Sequence, residues 1–365
     1  EHMIELDYIL NQFSKVKVNK MKPVIRNILR SAVYQLKYMD SVPDSAVCNE
    51  AVKLAVKKGF GTLRGFVNGV LRNVARGLDQ VEYPTEGIER LSVVYSMPEW
   101  ILKLWKKTYD LDVIESMLQA FQEETPVTIR CNLAKTTPEN LKESLQKEGV
   151  TVTPHPYLSY AFWIQDYDHL SELESFQKGE FYVQDISSML VGELADPKKG
   201  DRVIDVCAAP GGKALHVAEK LRGTGSVEAR DLSLYKVGLI TENIERSGLT
   251  NIHAVQKDAT VCDADVKDAA DLVIADLPCS GLGVLAKKTD LKYKATEQST
   301  KELAGLQREI LKNAASYVRP GGTLIYSTCT INPAENIENV HWFLKEFPEF
   351  VLDPIADRLC STLQN

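Results

Sequence analysis

The sequence lacks the cysteine patterns that hold disulfide-rich domains or zinc sites together. It has seven cysteines, an odd number, and none belongs to a C-x-x-C pair. They are scattered along the chain as Cys48, Cys131, Cys207, Cys262, Cys279, Cys329 and Cys360. This distribution argues against a disulfide framework and a structural zinc site, so we expect no metal and a reducing, cytoplasmic compartment. Only Cys207, Cys279 and Cys329 lie in the motifs of the second half of the chain considered below, and we expect the other four to be structural or incidental.

Long apolar runs and phosphate-binding signatures are also missing. No apolar run approaches the roughly 18–20 residues of a transmembrane helix, so we expect no membrane association. Neither the G-x-x-x-x-G-K-[ST] loop nor a dinucleotide fingerprint is present. What remains is ordinary globular composition, with 44% hydrophobic and 25% charged residues in a chain of 365. A chain of this length is long enough for two or three domains.

Acidic residues outnumber basic ones overall, 50 to 43, but the basic residues are unevenly distributed. The formal net charge of −7 argues against a nucleic-acid-binding protein. Residues 1–80, however, hold 13 basic and 7 acidic residues, against 30 basic and 43 acidic residues in the remainder. A basic leading segment on an acidic body points to a polyanionic partner. A solvated helical surface explains the same charges equally well.

The first 80 residues predict a small helical bundle. Apolar residues recur at three- and four-residue spacing in 22–39, 42–59 and 61–77. Asp44 or Ser45 is the expected N-terminal cap of the second of these helices. The pattern starts abruptly, so we expect the helical domain to be truncated at its N-terminus.

In the rest of the chain, the spacing of apolar residues changes twice. After a linker at 81–87 and a helix within 97–110, a short α+β unit follows, with Thr137 as a helix cap, and ends near 178–185. From residue 201, strand-like and helix-like segments alternate, which is typical of a parallel sheet covered by helices on both faces. The predicted strands of this part are 202–209, 225–232, 251–258, 271–278 and 322–329, and the predicted helices are 213–222, 234–248 and 297–318.

Three predicted strands end in carboxylates beside a glycine-rich turn. Asp231, Asp258 and Asp276 occupy these strand ends, and the turn is DVCAAPGGK (205–213). Small residues at a strand-to-helix turn let a ligand approach the backbone closely. A carboxylate at the end of the second strand is well placed to accept hydrogen bonds from ribose hydroxyls. The pattern therefore favours a nucleoside-containing cofactor.

Three motifs resemble those of the RNA cytosine-C5 methyltransferases. They are CAAPGGK (207–213), ADLPCSGLG (275–283) and YSTCTINPAEN (326–336). Within that family, LRSAVYQL (29–36), VCNEAVKLA (47–55) and FVNGVLR (66–72) resemble the NusB-like domain of the Sun/RsmB type, which methylates 16S ribosomal RNA. The resemblance spans most of the chain.

The resemblance implies an α/β class I methyltransferase with a Rossmann-like, mostly parallel sheet. The implied domains are a NusB-like RNA-binding domain (1–82), linker helices with a small α+β RNA-binding domain (83–180), and a catalytic domain (181–365). The implied cofactor is S-adenosylmethionine, with S-adenosylhomocysteine as product, and the implied partner is small-subunit ribosomal RNA. Asp231 would bind the ribose, Asp258 the adenine, and Asp276 would lie near both the methyl group and the base. The methionine part of the cofactor would be surrounded by Cys207, Ala208, Ala209, Pro210, Gly211, Gly212 and Lys213.

Two cysteines compete for the role of nucleophile. C5 of cytosine is a weak carbon nucleophile, and adding a thiolate to C6 makes C5 enamine-like. DLPCSG resembles the nucleophile motif of DNA cytosine methyltransferases, which would make Cys279 the nucleophile. In the RNA family the nucleophile follows the fifth strand, here Cys329, while Cys279 assists breakdown of the covalent adduct. The resemblance therefore assigns the attack to Cys329, and Asp276, if it holds a proton, could act as an acid near N3.

The chain departs from the family in two places. Where the family commonly has Arg-Arg-x-Pro-Asp, this chain has AKKTD (286–290), which keeps the charges but loses the proline. The last antiparallel strands of the fold are expected to be incomplete at the C-terminus. Two alternatives stay open: a tRNA methyltransferase with the same mechanism, and a catalytically inactive RNA-binding assembly factor. We expect a monomer.

Overall fold

The computed structural model describes residues 1–359 and 363. Cys360, expected to be structural or incidental, lies outside the described residues. Contacts divide the chain into two compact units. Unit 1 comprises Glu1–Glu123 and Val284–Ala295, and unit 2 comprises Glu124–Gly283 and the chain from Thr296 onwards.

Unit 1 is helical. Its helices are α1 (Met3–Phe13), α2 (Pro23–Tyr38), α3 (Asp44–Lys57), α4 (Arg64–Gly77), α5 (Gly87–Val94), α6 (Glu99–Trp105), α7 (Leu111–Ala120) and the short α13 (Leu291–Lys294). The predicted apolar stripe of α2 is buried, as at Ile25, Leu29 and Val33, and it packs with those of α1, α3 and α4 in one core. The expected cap of α3 is wrong, because Pro43 occupies the N-cap position and no side chain caps that helix.

The segment 284–295 follows the DLPCSGLG motif in sequence but groups with the helices of unit 1. Its Lys292 is buried, and the ammonium donates to the Glu1 carbonyl at 3.2 Å. The Tyr293 hydroxyl donates to the carbonyls of Glu1 (2.9 Å) and Ser96 (3.1 Å). Burial lowers the pKa of Lys292 to about 8. No periodicity along the chain predicts this long-range packing.

Unit 2 begins with an antiparallel sheet of order β2-β3-β1-β4. Its strands are β1 (Val127–Cys131), β2 (Thr151–Pro154), β3 (Ala161–Gln165) and β4 (Phe181–Val183), and the helices in this region are α8 (Pro138–Lys147) and α9 (Glu174–Gln177). The predicted cap of α8 is confirmed, since the Thr137 side chain accepts a hydrogen bond from the Asn140 N–H.

The second sheet of unit 2 is parallel, with order β7-β6-β5-β8-β9. Its strands are β5 (Arg202–Asp205), β6 (Ser226–Asp231), β7 (Ile252–Gln256), β8 (Ala270–Asp276) and β9 (Val318–Ser327). The remaining helices are α10 (Ile186–Ala195), α11 (Gly212–Lys220), α12 (Leu234–Ser247), α14 (Glu297–Tyr317) and α15 (Ile337–Glu346). The strand order reverses beside β5, and open α/β sheets bind ligands at such a switch point.

Apolar side chains cover both faces of the central strands β5 and β8. Successive residues of a strand point to opposite faces, so Val203 packs on the face covered by α11 and Ile204 on the face covered by α14. This arrangement holds the carboxyl ends of the strands at one edge, where the predicted site residues lie.

A buried ion pair connects the antiparallel sheet of unit 2 to α11, which packs on the parallel sheet. The guanidinium of Arg130 in β1 is fully buried, and its Nη1 lies 2.9 Å from Oε1 of Glu219 in α11. Its Nε donates to the Gln184 side chain at 2.7 Å, and it stacks over the Tyr182 ring at 4.3 Å. The other Glu219 oxygen accepts from the Leu133 N–H at 3.1 Å. Burial raises the pKa of Glu219, and Arg130 offsets part of that effect.

Within residues 1–359, no helix is long and apolar enough to span a bilayer.

Candidate active site

Strand register places the predicted carboxylates at one edge of the parallel sheet. Asp231 is the last residue of β6, and Asp276 is the last residue of β8 and pairs with Ser327 of β9. Asp205, the last residue of β5, aligns with Ile274, two residues before Asp276. Asp258 lies just beyond the end of β7.

The turn at 207–213 is tied to β6 by hydrogen bonds from two of its backbone N–H groups. Ala208 N–H donates to the Arg230 carbonyl at 2.7 Å, and Ala209 N–H donates to the Asp231 carboxylate at 3.3 Å. Gly211 has a φ of 108°, a conformation that L side chains rarely adopt. Gly212 begins α11, and a Cβ added there would meet only the Gln184 side chain, at 3.6 Å. Pro210 follows Ala209 through a cis peptide bond.

Lys213 and Asp276 form an ion pair in the centre of this edge. Lys213 Nζ lies 2.6 Å from Asp276 Oδ2, and the Ser327 hydroxyl donates to Asp276 Oδ1 at 2.7 Å. Both side chains of the ion pair are partly exposed. Asp276 therefore holds a charge-assisted hydrogen bond and a neutral one in a position that a ligand can reach.

Asp205 is an additional carboxyl group that the sequence analysis did not single out. It is 1% exposed, and its Oδ1 accepts from the Cys207 N–H at 3.3 Å. Its Oδ2 is buried without a hydrogen-bond partner among the described residues. Burial and the nearby Asp276 raise the pKa of Asp205 to about 7.

The other three predicted cofactor residues differ in exposure. Asp231 is buried, and its Oδ1 accepts from the Leu232 N–H at 2.8 Å. Asp258 is exposed, and the hydroxyl and N–H of Thr260 donate to it at 2.7 and 2.9 Å and lower its pKa. Burial raises the pKa of the Cys207 thiol to about 12, so this cysteine stays protonated.

The structure brings together the two cysteines that compete for the nucleophile role. Cys279 follows β8 and Cys329 follows β9, and their sulfur atoms lie 3.2 Å apart. The Cys329 N–H also donates to Cys279 Sγ at 3.3 Å. Cys329 is exposed, whereas Cys279 is half-buried. The interaction with Cys329, followed by burial, raises the pKa of the Cys279 thiol well above its ordinary value.

Glu335 ties the two cysteine loops to each other. Its carboxylate accepts from the N–H of Ser280 at 2.9 Å and from the Ser280 hydroxyl at 2.6 Å. The same hydroxyl lies 2.8 Å from Thr330 Oγ1, and Asn332 Nδ2 donates to Glu335 at 3.3 Å. Gly283 N–H donates to the carbonyl of Cys329 at 3.0 Å.

Gln307 holds the other side of the Cys279 loop. This α14 residue is fully buried, and its amide donates to the Pro278 carbonyl at 2.8 Å. Its own carbonyl oxygen accepts from Asn339 at 2.8 Å and from the Tyr326 hydroxyl at 3.1 Å. The Tyr326 hydroxyl is also hydrogen-bonded to the backbone carbonyl of Glu335.

Sequence reasoning missed Asp205, Gln307, Ser327 and Glu335. Ser327 and Glu335 stand inside YSTCTINPAEN, so the motif contained them without indicating their partners. Asp205 ends a strand as the predicted carboxylates do, which is the signal that could have found it. Gln307 lies in the middle of a long helix and carries no local signal.

No group of three or more metal-ligating side chains could hold a metal ion in the described part of the chain.

Comparison with known proteins defines the class of the protein. The crystal structure of PH0851 matches with a TM-score of 0.83 and 27% identity, over 96% of this chain and 80% of that one. The crystal structure of NSun6 from Pyrococcus horikoshii with SFG, an analogue of S-adenosylmethionine, matches with a TM-score of 0.64 and 26% identity, over 69% and 88%. The protein is an S-adenosylmethionine-dependent methyltransferase of mixed α/β architecture.

Family models and a curated relative identify the family. Residues 1–76 match the NusB family, 97–167 the ferredoxin-like domain of RsmF/B-like methyltransferases, and 193–363 the 16S rRNA methyltransferase RsmB/F model. The probable ribosomal RNA small subunit methyltransferase B of Bacillus subtilis is 38% identical over 97% of this chain and 79% of its own length. The chain belongs to the RsmB/F family of 16S rRNA methyltransferases.

The residues at the sheet edge fit S-adenosylmethionine. The buried Oδ2 of Asp205 offers a polar acceptor beside the turn. Gly212 has no Cβ, so a ligand can approach its backbone closely. Asp231 offers a buried carboxylate where a ribose is expected. The individual cofactor contacts of these residues, and of Asp258, stay predictions.

Proposed function

We propose that the protein methylates C5 of a cytosine in 16S ribosomal RNA, with Cys329 as the nucleophile and Cys279 as the residue that releases the product. The observation that carries this assignment is the 3.2 Å separation of the two sulfur atoms, at the sheet edge that also holds the Lys213–Asp276 ion pair. Because both sulfurs reach the same region, one can attack C6 while the other acts on C5.

Exposure and charge favour Cys329 for the attack. Cys329 is exposed, whereas Cys279 is half-buried with a pKa well above its usual range. A protonated Cys279 can donate its S–H to the Cys329 sulfur and stabilise a thiolate there. The more accessible sulfur is therefore also the one that can accept this hydrogen bond.

The Lys213–Asp276 pair is proposed to orient the base and stabilise charge. When Cys329 adds to C6, electron density moves through the ring toward N3. Asp276, fixed by Lys213 and Ser327, holds a rigid polar group in the centre of the site, and Lys213 supplies a proton donor and a positive charge. S-adenosylmethionine, when bound beside the turn at 207–213, supplies the electrophilic methyl group that C5 accepts.

Release requires removal of the C5 proton. The electron pair of the C5–H bond forms the C5–C6 double bond, the C6–S bond breaks, and its electrons return to Cys329. We assign the C5 proton to Cys279. Before it can accept the C5 proton, Cys279 must lose its own thiol proton. The Cys329 sulfur no longer interacts with that proton once it is bonded to C6, and the thiol proton then passes to solvent. The balance is one proton released for each methyl group gained.

The parts outside the parallel sheet are proposed to bind RNA. We assign residues 1–82 to a NusB-like domain and 83–180 to linker helices with an α+β domain, and both would present structured RNA to the catalytic domain at 181–365. Such enzymes act on a single-stranded or extruded base. We further propose that the protein acts as a monomer in the cytoplasm.

Methyl transfer to a defined RNA tests the proposal. The protein is incubated with tritiated S-adenosylmethionine and either an unmodified 16S rRNA transcript or bulk tRNA, and 5-methylcytosine is mapped by bisulfite sequencing. We expect a modified cytosine in 16S rRNA and none in tRNA. Modification of tRNA alone would contradict the substrate, and failure to bind S-adenosylmethionine in calorimetry would support an inactive assembly factor.

A further inference from the structure

Cys279 is bracketed by two buried polar side chains. Gln307 holds the carbonyl of Pro278, the residue before it, and Glu335 holds the N–H and hydroxyl of Ser280, the residue after it. Gln307 and Glu335 are both 0% exposed. We call these two side chains the Cys279 clamp.

The clamp leaves the Cys279 loop little freedom. Its three hydrogen bonds fall on the two residues that flank Cys279, so the backbone cannot rotate there without breaking one of them. A buried acceptor or donor that loses its partner costs more than a hydrogen bond gained in water. The clamp therefore fixes the direction in which the Cys279 side chain points.

Glu335 also reaches the Cys329 loop. Asn332 donates to its carboxylate, and the Ser280 hydroxyl that it binds lies 2.8 Å from Thr330, the residue after Cys329. One carboxylate thus sets the position of both loops. The distance between the two sulfurs depends on this side chain although it touches neither sulfur.

We propose that Glu335 is a positioning residue that aligns Cys279 for adduct release, with Gln307 supporting the same loop from the other side. This inference rests on the proposed function, because it presupposes that Cys329 forms the adduct and Cys279 resolves it. Formation of the covalent adduct needs only that the Cys329 sulfur reach C6 of the cytosine. Release needs Cys279 to reach the C5 proton of the base that Cys329 holds, so it depends on the relative position of the two loops.

Glu335→Gln is the test variant. The amide keeps the size of the side chain, but its nitrogen cannot accept the hydrogen bonds that one carboxylate oxygen accepts. We expect adduct formation to persist and release to slow by on the order of 10- to 100-fold, the effect of misplacing a reacting group by about 1 Å. Ser280→Ala removes the hydroxyl but keeps the N–H bond to Glu335, so its effect should be smaller.

The readout is the fraction of protein in a covalent RNA adduct on denaturing gels, followed over time after mixing with S-adenosylmethionine and a 16S rRNA transcript. Asn251→Ala is the matched control. The Asn251 amide, just before β7 and away from the cysteine loops, donates to the Ala218 carbonyl at 2.9 Å, so this variant also loses a side-chain hydrogen bond. We expect Asn251→Ala to resemble wild type and Glu335→Gln to resemble Cys279→Ala, which should trap the adduct. Alkylation of Cys279 in the free protein should also be faster in Glu335→Gln.

The possible failures are distinguishable. If Cys279→Ala traps the adduct but Glu335→Gln and Ser280→Ala both release it at the wild-type rate, the positioning role is wrong and the proposed function stands. If Glu335→Gln does not fold, the rate of adduct release in Ser280→Ala decides, and a wild-type rate again means that the positioning role is wrong. If Cys279→Ala does not trap the adduct, the release role of Cys279 falls, and this inference falls with it.

Discussion

Two buried glutamates in unit 2 are compensated in different ways. Glu219 in α11 pairs with the guanidinium of Arg130 in β1, far along the chain from either cysteine. Glu335 accepts, within the described residues, from the neutral donors of Ser280 and Asn332 in the cysteine loops. A charge-compensated pair holds elements of the fold together, whereas a carboxylate surrounded by loop donors fixes the geometry of those loops. Burial alone does not tell the two roles apart; the identity of the partners does.

The largest stability effect is expected from Glu219→Gln. The substitution leaves the buried Arg130 guanidinium without its counter-charge, which costs about 3–5 kcal/mol. Urea unfolding should show this loss, while the fraction of trapped adduct at a temperature where the variant is folded stays at the wild-type level. A change in that fraction would break the distinction between the two glutamates.

A third buried carboxyl group, Asp205, accepts a hydrogen bond from the Cys207 N–H, but its Oδ2 has no hydrogen-bond partner among the described residues, so we expect it to respond to pH. Its pKa of about 7 in the folded protein lies above the ~3.9 of an unfolded aspartate. The folded state therefore binds more protons between these values, and the contribution of Asp205 to stability is lost as pH rises from about 4 to about 7.

Asp205→Asn removes this dependence. The stability of Asp205→Asn relative to wild type should increase by on the order of 2–4 kcal/mol between pH 4 and pH 8. Urea unfolding of both proteins across this range measures the difference. A difference that does not change with pH would show that Asp205 is ionised throughout.

The smallest effect is expected from Thr296→Ala. Thr296 caps α14, with Ser299 completing the capping box, and α14 carries Gln307. Loss of the cap should cost about 1 kcal/mol of unfolding free energy. Because the cap lies more than two turns from Gln307, adduct release should be unchanged. Slower release would mean that the Cys279 clamp responds to any loss of stability in its supporting helix.

Local patterns predicted most of the architecture. The apolar stripes of α2, α3 and α4 and the five strands of the parallel sheet follow from residue periodicity, which acts within one element. Thr137 was recognisable as a cap because its partner lies three residues away. Asp231 and Asp276 were recognisable because parallel strands end at a common edge.

What the sequence did not predict depends on contacts between distant segments. Gln307 meets Pro278 across 29 residues, and Glu335 meets Ser280 across 55, so no periodicity relates them. The packing of Lys292 and Tyr293 against residues near the N-terminus of the chain joins positions nearly 300 residues apart. The roles of Cys279 and Cys329 were inferred from a family resemblance, while the distance between their sulfurs needed the fold.

The most direct test compares Cys329→Ala and Cys279→Ala on the same 16S rRNA transcript with S-adenosylmethionine. Cys329→Ala should form neither 5-methylcytosine nor a covalent adduct, because no thiolate reaches C6. Cys279→Ala should form the adduct and retain it on denaturing gels, because the C5 proton is not removed. The opposite result, with the adduct trapped in Cys329→Ala and absent in Cys279→Ala, would contradict the assignment of the two cysteines.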